Sequence, residues 1–347
     1  MKWYKLIFKQ NQPIHIGSAE WGVISETEIF IPGWTMWGAL TNQFLKRIGY
    51  SEIERAKKFF EKITNFYPAI EQKIENSLEG KSLVLQELFP QYKKGDFAFK
   101  KSLRNDKSEQ NREDNEKEEF ISKDKFKFEF VDTLVSTALE PLLRSAKDES
   151  LHEFEYILPK SKLDLEEKSR ENNLNQLYWV GLIGFEDEAI KEINSLIKNS
   201  NNNENAEENI NKNDESEKKG YNDFNDFLLD VFSHIYIGGD IKYGFGEMEL
   251  VDLINEVSGE KLSEWNITEN GTASIKPNFP LRQFFKFSNE IKFEGELKLL
   301  SEFDFTQNIP RVQEAGYFIN VGSKVSDFNG IDLSKYHLIK GKFEKIK

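Results

Sequence analysis

The stretch IYIGGDIKYGFGEMEL, residues 235–250, places four glycines, Gly238, Gly239, Gly244 and Gly246, between two runs that read as strands. Glycine admits positive φ and lets a second backbone approach closely. Successive exposed N–H groups in such a loop cradle an anion. Lys242 adds a positive charge, and Tyr243 and Phe245 offer rings on which a base can stack. The same composition also describes a glycine-rich β-hairpin with no ligand. The stretch is not a Gly-Lys-Ser/Thr phosphate loop, because that triplet is missing. It is not a dinucleotide fingerprint either: the spacing differs, and a strand follows instead of a helix.

Outward from this segment the chain alternates between element types. Residues 2–9 read as a strand and GWTMWGALTNQFLKRIG, 33–49, as a helix, with Pro32 before it, Thr35 as N-cap and Gly49 as its end. Helix is expected to continue over 51–79 with a break near Pro68. Phe126, Phe128 and Phe130 alternate with Lys127 and Glu129, which predicts a half-buried strand over 126–135. Further strands are expected at 151–158, 177–185 and 247–254, and helices at 187–199 and 221–235. Composition shifts over 255–275, and strands follow at FFKF (284–287), IKFEGELKLL (291–300) and GYFINVGSKV (316–325). The expected class is α+β, with elements in the β-α-β-β-α-β order of a ferredoxin-like unit over residues 1–252 and a smaller, strand-rich α+β domain over 253–347.

Two segments stand apart. Residues 105–125 hold eight acids and five bases; residues 199–219 hold six acids, three bases and eight asparagines. Neither carries enough apolar surface to offset chain entropy, so both are expected to be mobile insertions. Each contributes −3 to a net charge of −13, and the rest of the 347-residue chain stays acidic. Any nucleic-acid site is therefore a local patch and not a global field. No cysteine is present, which excludes disulfides, thiolate metal sites and a cysteine nucleophile. No run of 18 apolar residues occurs, and MKWYKLIFKQNQP lacks a signal-peptide apolar core. The reading is a cytoplasmic protein without membrane contact.

A second motif, PIHIGSAEWGVISETEIFIPGWTMWGAL, occupies 13–40. Gly17 and Ser18 make its start pliable, the helix N-terminus near Thr35 offers N–H groups to an anion, and Trp34 and Trp37 can stack on bases. Tryptophans at helical spacing also read as core. Arg144 and Lys147 fall in an expected turn before the 151–158 strand and suit a phosphate contact or a solvated charge cluster. The four histidines show no metal-ligand spacing, and no cofactor motif is present. His15 is a candidate general base, though a hydrogen-bonded structural histidine is the commoner case.

These pieces together resemble the RAMP superfamily, the RNA-binding subunits of CRISPR effector complexes. GGDIKYGFGEMEL resembles the family's glycine-rich loop, and IHIGS followed by IPGWTMWGAL resembles its first strand, loop and helix. The 137–158 segment is similar to the middle segment, with its basic turn, and LYWVGLIGF to the strand after it. The resemblance implies a ferredoxin-like (RRM-like) domain, and RNA contacts through Gly17, Ser18, Trp34, Thr35, Trp37, Arg144, Lys147, Gly238, Gly239, Lys242, Tyr243, Gly244, Phe245 and Gly246. Backbone subunits of the family cut target RNA with an aspartate in the loop after the first strand; residues 17–32 here hold Glu20, Glu26 and Glu28 but no aspartate. The implied role is thus a non-catalytic type III subunit that binds the guide RNA's 5′ tag and caps the complex, with guide RNA and neighbouring backbone RAMP subunits as partners. The alternatives are a backbone subunit and a metal-independent guide-processing endoribonuclease using His15.

Overall fold

The computed structural model describes residues 1–71, 84–102, 120–162, 175–195, 224–254, 257–304, 309 and 311–345. The chain opens with β1 (Lys2–Gln10), β2 (Gly17–Trp21), β3 (Ile24–Thr27), α1 (Gly33–Ile48) and α2 (Ile53–Phe59). Next come β4 (Tyr67–Glu71), β5 (Leu85–Lys93), β6 (Asp96–Lys101), β7 (Phe120–Ser122), α3 (Lys123–Phe130), β8 (Val131–Ser136) and β9 (His152–Ile157). Then follow β10 (Leu177–Phe185), a helical stretch over 187–195, α4 (Phe224–Val231), β11 (His234–Tyr236) and β12 (Glu247–Ile254). The last part contains α5 (Glu260–Glu264), β13 (Phe284–Lys286), β14 (Lys292–Glu294), β15 (Leu297–Asp304) and β16 (Arg311–Ile319). It ends with β17 (Lys324–Asp327), β18 (Tyr336–Ile339) and β19 (Lys342–Lys345).

The fold is mixed α+β with large antiparallel sheets. An eight-stranded sheet runs β11-β12-β1-β10-β4-β5-β6-β7, antiparallel throughout. Its centre, β12-β1-β10-β4, is built from β1, α1, β4, β10, α4 and β12 in β-α-β-β-α-β chain order. β10 is buried along its whole length, which explains why LYWVGLIGF reads as an unbroken apolar run instead of alternating. The helices pack on one face through phenylalanines: Phe44 meets Phe59, Phe60 and Phe227 edge-on, and Tyr4 of β1 meets Phe185 and Phe224. Each such pair contributes about 0.5–1.5 kcal/mol beyond its buried area. A four-stranded sheet β2-β3-β9-β8 and a five-stranded sheet β15-β16-β13-β19-β18 complete the layers, with β14 and β17 as a separate pair. Among the described residues no helix is long and apolar enough to cross a membrane.

Several expectations are corrected. Residues 123–130 form helix α3, not a strand. Ser122 caps it, accepting from the Lys125 N–H, and Phe126 and Phe130, four apart, share the buried side. Phe128 falls on the opposite side and is 79% exposed. The expected 51–79 helix stops at Phe59, Tyr67–Glu71 is strand β4, and 72–79 lie outside the described residues. Proline disfavours helix at the residue before it, and Tyr67 gains more by full burial against β10 and β5. The 221–235 helix is shorter too, ending at Val231 with β11 after it. Thr35 does not cap α1: Pro32 is the N-cap, and the Thr35 N–H donates to the Pro32 carbonyl inside the first turn. Gly49 does end α1, at φ 91°. Of the two expected insertions, 199–219 and 105–119 lie outside the described residues, while 120–125 belong to β7 and α3.

The C-terminal sheet is tied to the large one through Asn65, which is fully buried. Its Oδ1 accepts from the Gly33 N–H at 2.8 Å, and its Nδ2 donates to the carbonyls of Arg282 and Gly341 at 3.2 and 3.1 Å. Its own N–H donates to Gln283 Oε1 at 2.9 Å. Gly33 and Gly341 pack backbone on backbone, and a Cβ on Gly33 would overlap the Gly341 main chain. Asn65→Ala strands several buried backbone groups at once and is expected to lower the urea-unfolding free energy by about 2–5 kcal/mol. Phe126→Ala is expected to cost about 3–5 kcal/mol and Phe128→Ala under about 0.5 kcal/mol, a contrast that a strand over 126–130 would not produce.

Candidate functional site

The chain between β1 and β2 holds the site's first wall. Ile14 exchanges backbone hydrogen bonds with Ile157 of β9, which fixes the path of residues 13–16. The glycine stretch then lies directly on this path. The Gly239 N–H donates to the His15 carbonyl at 3.0 Å and the Gly246 N–H to the Pro13 carbonyl at 2.8 Å. A Cβ on Gly238, at φ 82°, would overlap the His15 carbonyl oxygen, and a Cβ on Gly246, at φ 93°, would overlap the Ile237 carbonyl. These two glycines are needed for close backbone approach. Gly244 also has positive φ, 86°, but open space around it.

Between Gly239 and Gly244 the chain makes one 3₁₀ turn, Ile241–Tyr243, entered by Asp240 in the left-handed region. The N–H groups of Tyr243 and Gly244 donate to Asp240 and Ile241. With the Gly239 and Gly246 N–H groups engaged on the His15 and Pro13 carbonyls, these four amides are all taken up within the protein. What the turn presents outward is side chains: Lys242 is exposed and Tyr243 is 82% exposed. Phe245 points the other way, into a ring cluster, with centroids 5.7 Å from Phe154 and 5.5 Å from Tyr156.

Beside this hairpin runs an open groove of about 870 Å³. One side is formed by His15, Gly17 and Ser18 and by the start of α1, from Pro32 through Trp34 and Thr35 to Asn42. Tyr236, Gly238, Gly239 and Ile241 form its end. The other side is β15, with Lys298, Leu299, Ser301 and Phe303. Glu28 forms an ion pair with Lys298 across the groove and accepts from the Ser18 hydroxyl at 2.8 Å. His15 donates from Nδ1 to the Glu155 carbonyl at 2.6 Å, which leaves Nε2 as the acceptor, 3.5 Å from the Ser25 hydroxyl. The Glu155 carboxylate is held by Lys127, at 2.8 and 3.0 Å, and by the Thr27 N–H at 3.1 Å.

The structure thus brings Gly17, Ser18, Trp34, Thr35, Gly238 and Gly239 to one groove, whereas Lys242, Tyr243, Gly244, Phe245 and Gly246 do not line it and only follow the lining residue Ile241 in the chain. Trp37 lies elsewhere, in a neighbouring cavity of about 390 Å³ that Trp34 also lines. Its Nε1–H donates to the Lys57 carbonyl, and the Lys340 ammonium sits 3.8 Å from its ring centroid. Trp34 packs 5.3 Å from Phe284. Arg144 and Lys147 are exposed on the connection between β8 and β9 and do not line the groove. The β15 residues had no local signal in sequence: Lys298 pairs with Glu28 across 270 residues. Residues 17–27, expected as a loop, form the β2–β3 hairpin. Among the described residues no group of three His, Asp or Glu is placed to hold a metal.

No family model matches this sequence, and no curated protein matches it. Similar solved structures include a chain of the type III-B Cmr-beta complex bound to cognate target RNA and AMPPnP. It is 14% identical, with 93% of this chain and 85% of that chain covered and a TM-score of 0.48. A chain of the type III-A Csm3-Csm4 subcomplex is 12% identical over 99% of this chain and 97% of that one, with a TM-score of 0.42.

The glycine geometry sets an order of stability. Gly244→Ala meets only φ strain and is expected to cost about 1 kcal/mol. Gly238→Ala and Gly246→Ala add overlap with a carbonyl and should cost about 1–3 kcal/mol more, read by urea unfolding.

Proposed function

We propose that this chain is a non-catalytic subunit of a type III CRISPR effector complex, which binds the 5′ tag of the guide RNA and caps the backbone of the assembly. The observation that carries the reading is the groove. Three segments that resemble RAMP motifs, around 16–18, 32–35 and 236–241, lie far apart in sequence and line one open channel. The β12-β1-β10-β4 order with its β-α-β-β-α-β chain order supports a ferredoxin-like, RRM-like core.

In this reading a single strand of guide RNA follows the groove, with Lys242 on a phosphate and Tyr243 stacked on a base. One such stack is worth about 1–3 kcal/mol. The glycines act indirectly: they hold the 3₁₀ turn against residues 13–16 so that these two side chains project. The β2–β3 hairpin carries Glu20 and no aspartate in the position where cleaving relatives are expected to hold one, which favours a binding role over cutting. Neighbouring backbone subunits would contact the exposed β8–β9 connection, where Leu142 and Leu143 are exposed beside Arg144 and Lys147.

Fluorescence anisotropy with guide RNA carrying its 5′ tag tests this directly. The double variant Lys242→Glu, Tyr243→Ala is expected to weaken binding about tenfold or more and to reduce the salt slope by about one. Both side chains are exposed, so the unfolding midpoint should stay put. Unchanged affinity would remove the hairpin from the RNA path. Native mass spectrometry of the co-expressed complex is expected to count one copy of this chain per guide; several copies would point to a backbone subunit.

A further inference from the structure

A second cavity, of about 650 Å³, lies on the other face of the large sheet and shares no residue with the groove. Tyr4 of β1 faces α4, so the next residue, Lys5, faces away from the helices, toward residues 257–282. Among the described residues the cavity gathers six cations, Lys5, Lys100, Lys101, Lys261, Lys324 and Arg282, against two carboxylates, Glu87 and Glu264. This is a concentration of positive charge in a chain whose net charge is −13. Lys5 is neutralised by an ion pair with Glu87. Among the described residues no carboxylate is within ion-pair distance of Lys101, Lys261 or Lys324.

Arg282 is the strongest observation. Only 8% of it is exposed, its guanidinium stacks 3.9 Å from the Phe89 ring centroid, and among the described residues it too has no ion-pair partner. Its side-chain hydrogen bonds go to two backbone carbonyls, Glu264 and Pro90, both at a long 3.4 Å. Burial draws this guanidinium down to about 10, against weaker opposing effects of Tyr67, Glu264 and Glu87. A buried charge without a counter-ion is costly, and proteins ordinarily pair it. Planar guanidinium with several ammonium groups around it is the chemistry that recognises phosphate. The volume lies within the range of about 300–1,000 Å³ typical of small-molecule sites, and Phe89 and Trp265 supply an aromatic wall.

We propose that this cavity binds a phosphate-rich anion, a nucleotide polyphosphate or the phosphorylated end of an RNA chain, whose charge pairs with Arg282, Lys101 and Lys324. Lys101, Lys261, Lys324 and Arg282, set against Glu264, suit a ligand carrying several negative charges better than a monovalent anion. The inference is independent of the groove and of the guide-RNA reading.

The test is isothermal titration of the full chain with tripolyphosphate, ATP and short RNAs of one sequence bearing a 5′-triphosphate or a 5′-hydroxyl. One saturable site for tripolyphosphate and ATP supports a free nucleotide. A site seen only with the 5′-triphosphate RNA supports an RNA terminus. In either case Lys101→Glu with Lys324→Glu is expected to weaken binding about tenfold or more, whereas Lys46→Glu with Arg47→Glu, an equal charge change on α1, should alter it less than about twofold. In the unmodified protein, bound tripolyphosphate is expected to protect Lys101 and Lys324, but not Lys46, from acetylation read by mass spectrometry. Absence of binding by every probe overturns the proposal, as does equal weakening by the two double variants or unprotected cavity lysines.

Discussion

The main chain of residues 237–246 rests on the carbonyls of Pro13 and His15, and the site depends on this contact. It is possible only because Gly238 and Gly246 have no Cβ and take positive φ. The contact brings the end of the first β-α-β-β-α-β set against its beginning and leaves a 3₁₀ turn projecting between two anchored ends. Rigid flanks around a short exposed turn give a presented pair of side chains, not a flexible loop. Lys242 and Tyr243 are that pair.

The groove beside them needs a second constraint. Its far wall is β15, which belongs to the C-terminal sheet, so the groove exists only if the two sheets keep their spacing. Asn65 fixes it by bonding to Gly33 on one side and to Arg282, Gln283 and Gly341 on the other. The start of α1 is therefore held by a side chain 32 residues away, not by a cap of its own. One network sets both the position of the helix N-terminus in the groove and the seat of Arg282 in the basic cavity on the opposite face.

Much of the sheet framework is legible from sequence because β1, β9, β10 and β12 carry strong apolar patterns and lie between clear breaks. The α3 segment is not legible, since Phe126, Phe128 and Phe130 fit a two-residue period as well as a pair four apart; only Ser122 as a cap and the exposure of Phe128 separate the readings. Pro68 signals an ended helix in sequence but sits in a strand, because pairing with β10 on one side and β5 on the other buries Tyr67. For the site, the glycine stretch and the 13–40 segment are visible as motifs, yet which glycines serve packing and which lie free follows only from the approach of residues 13–16. Lys298 to Phe303 and the Arg282 cavity are invisible to local reading, being assembled across hundreds of residues.

Charge follows the same division. Among the described residues the groove has few unpaired charges, with Lys298 satisfied by Glu28, so the proposed RNA binding would rest on shape, stacking and the nearby exposed Lys242. Ultraviolet crosslinking of the guide-RNA complex, with crosslinked residues located by mass spectrometry, tests this account most directly. Crosslinks are expected at Tyr243, with Trp34 or Tyr236 along the groove. Crosslinks confined to other surfaces, with Tyr243 and the groove unmarked, would contradict it.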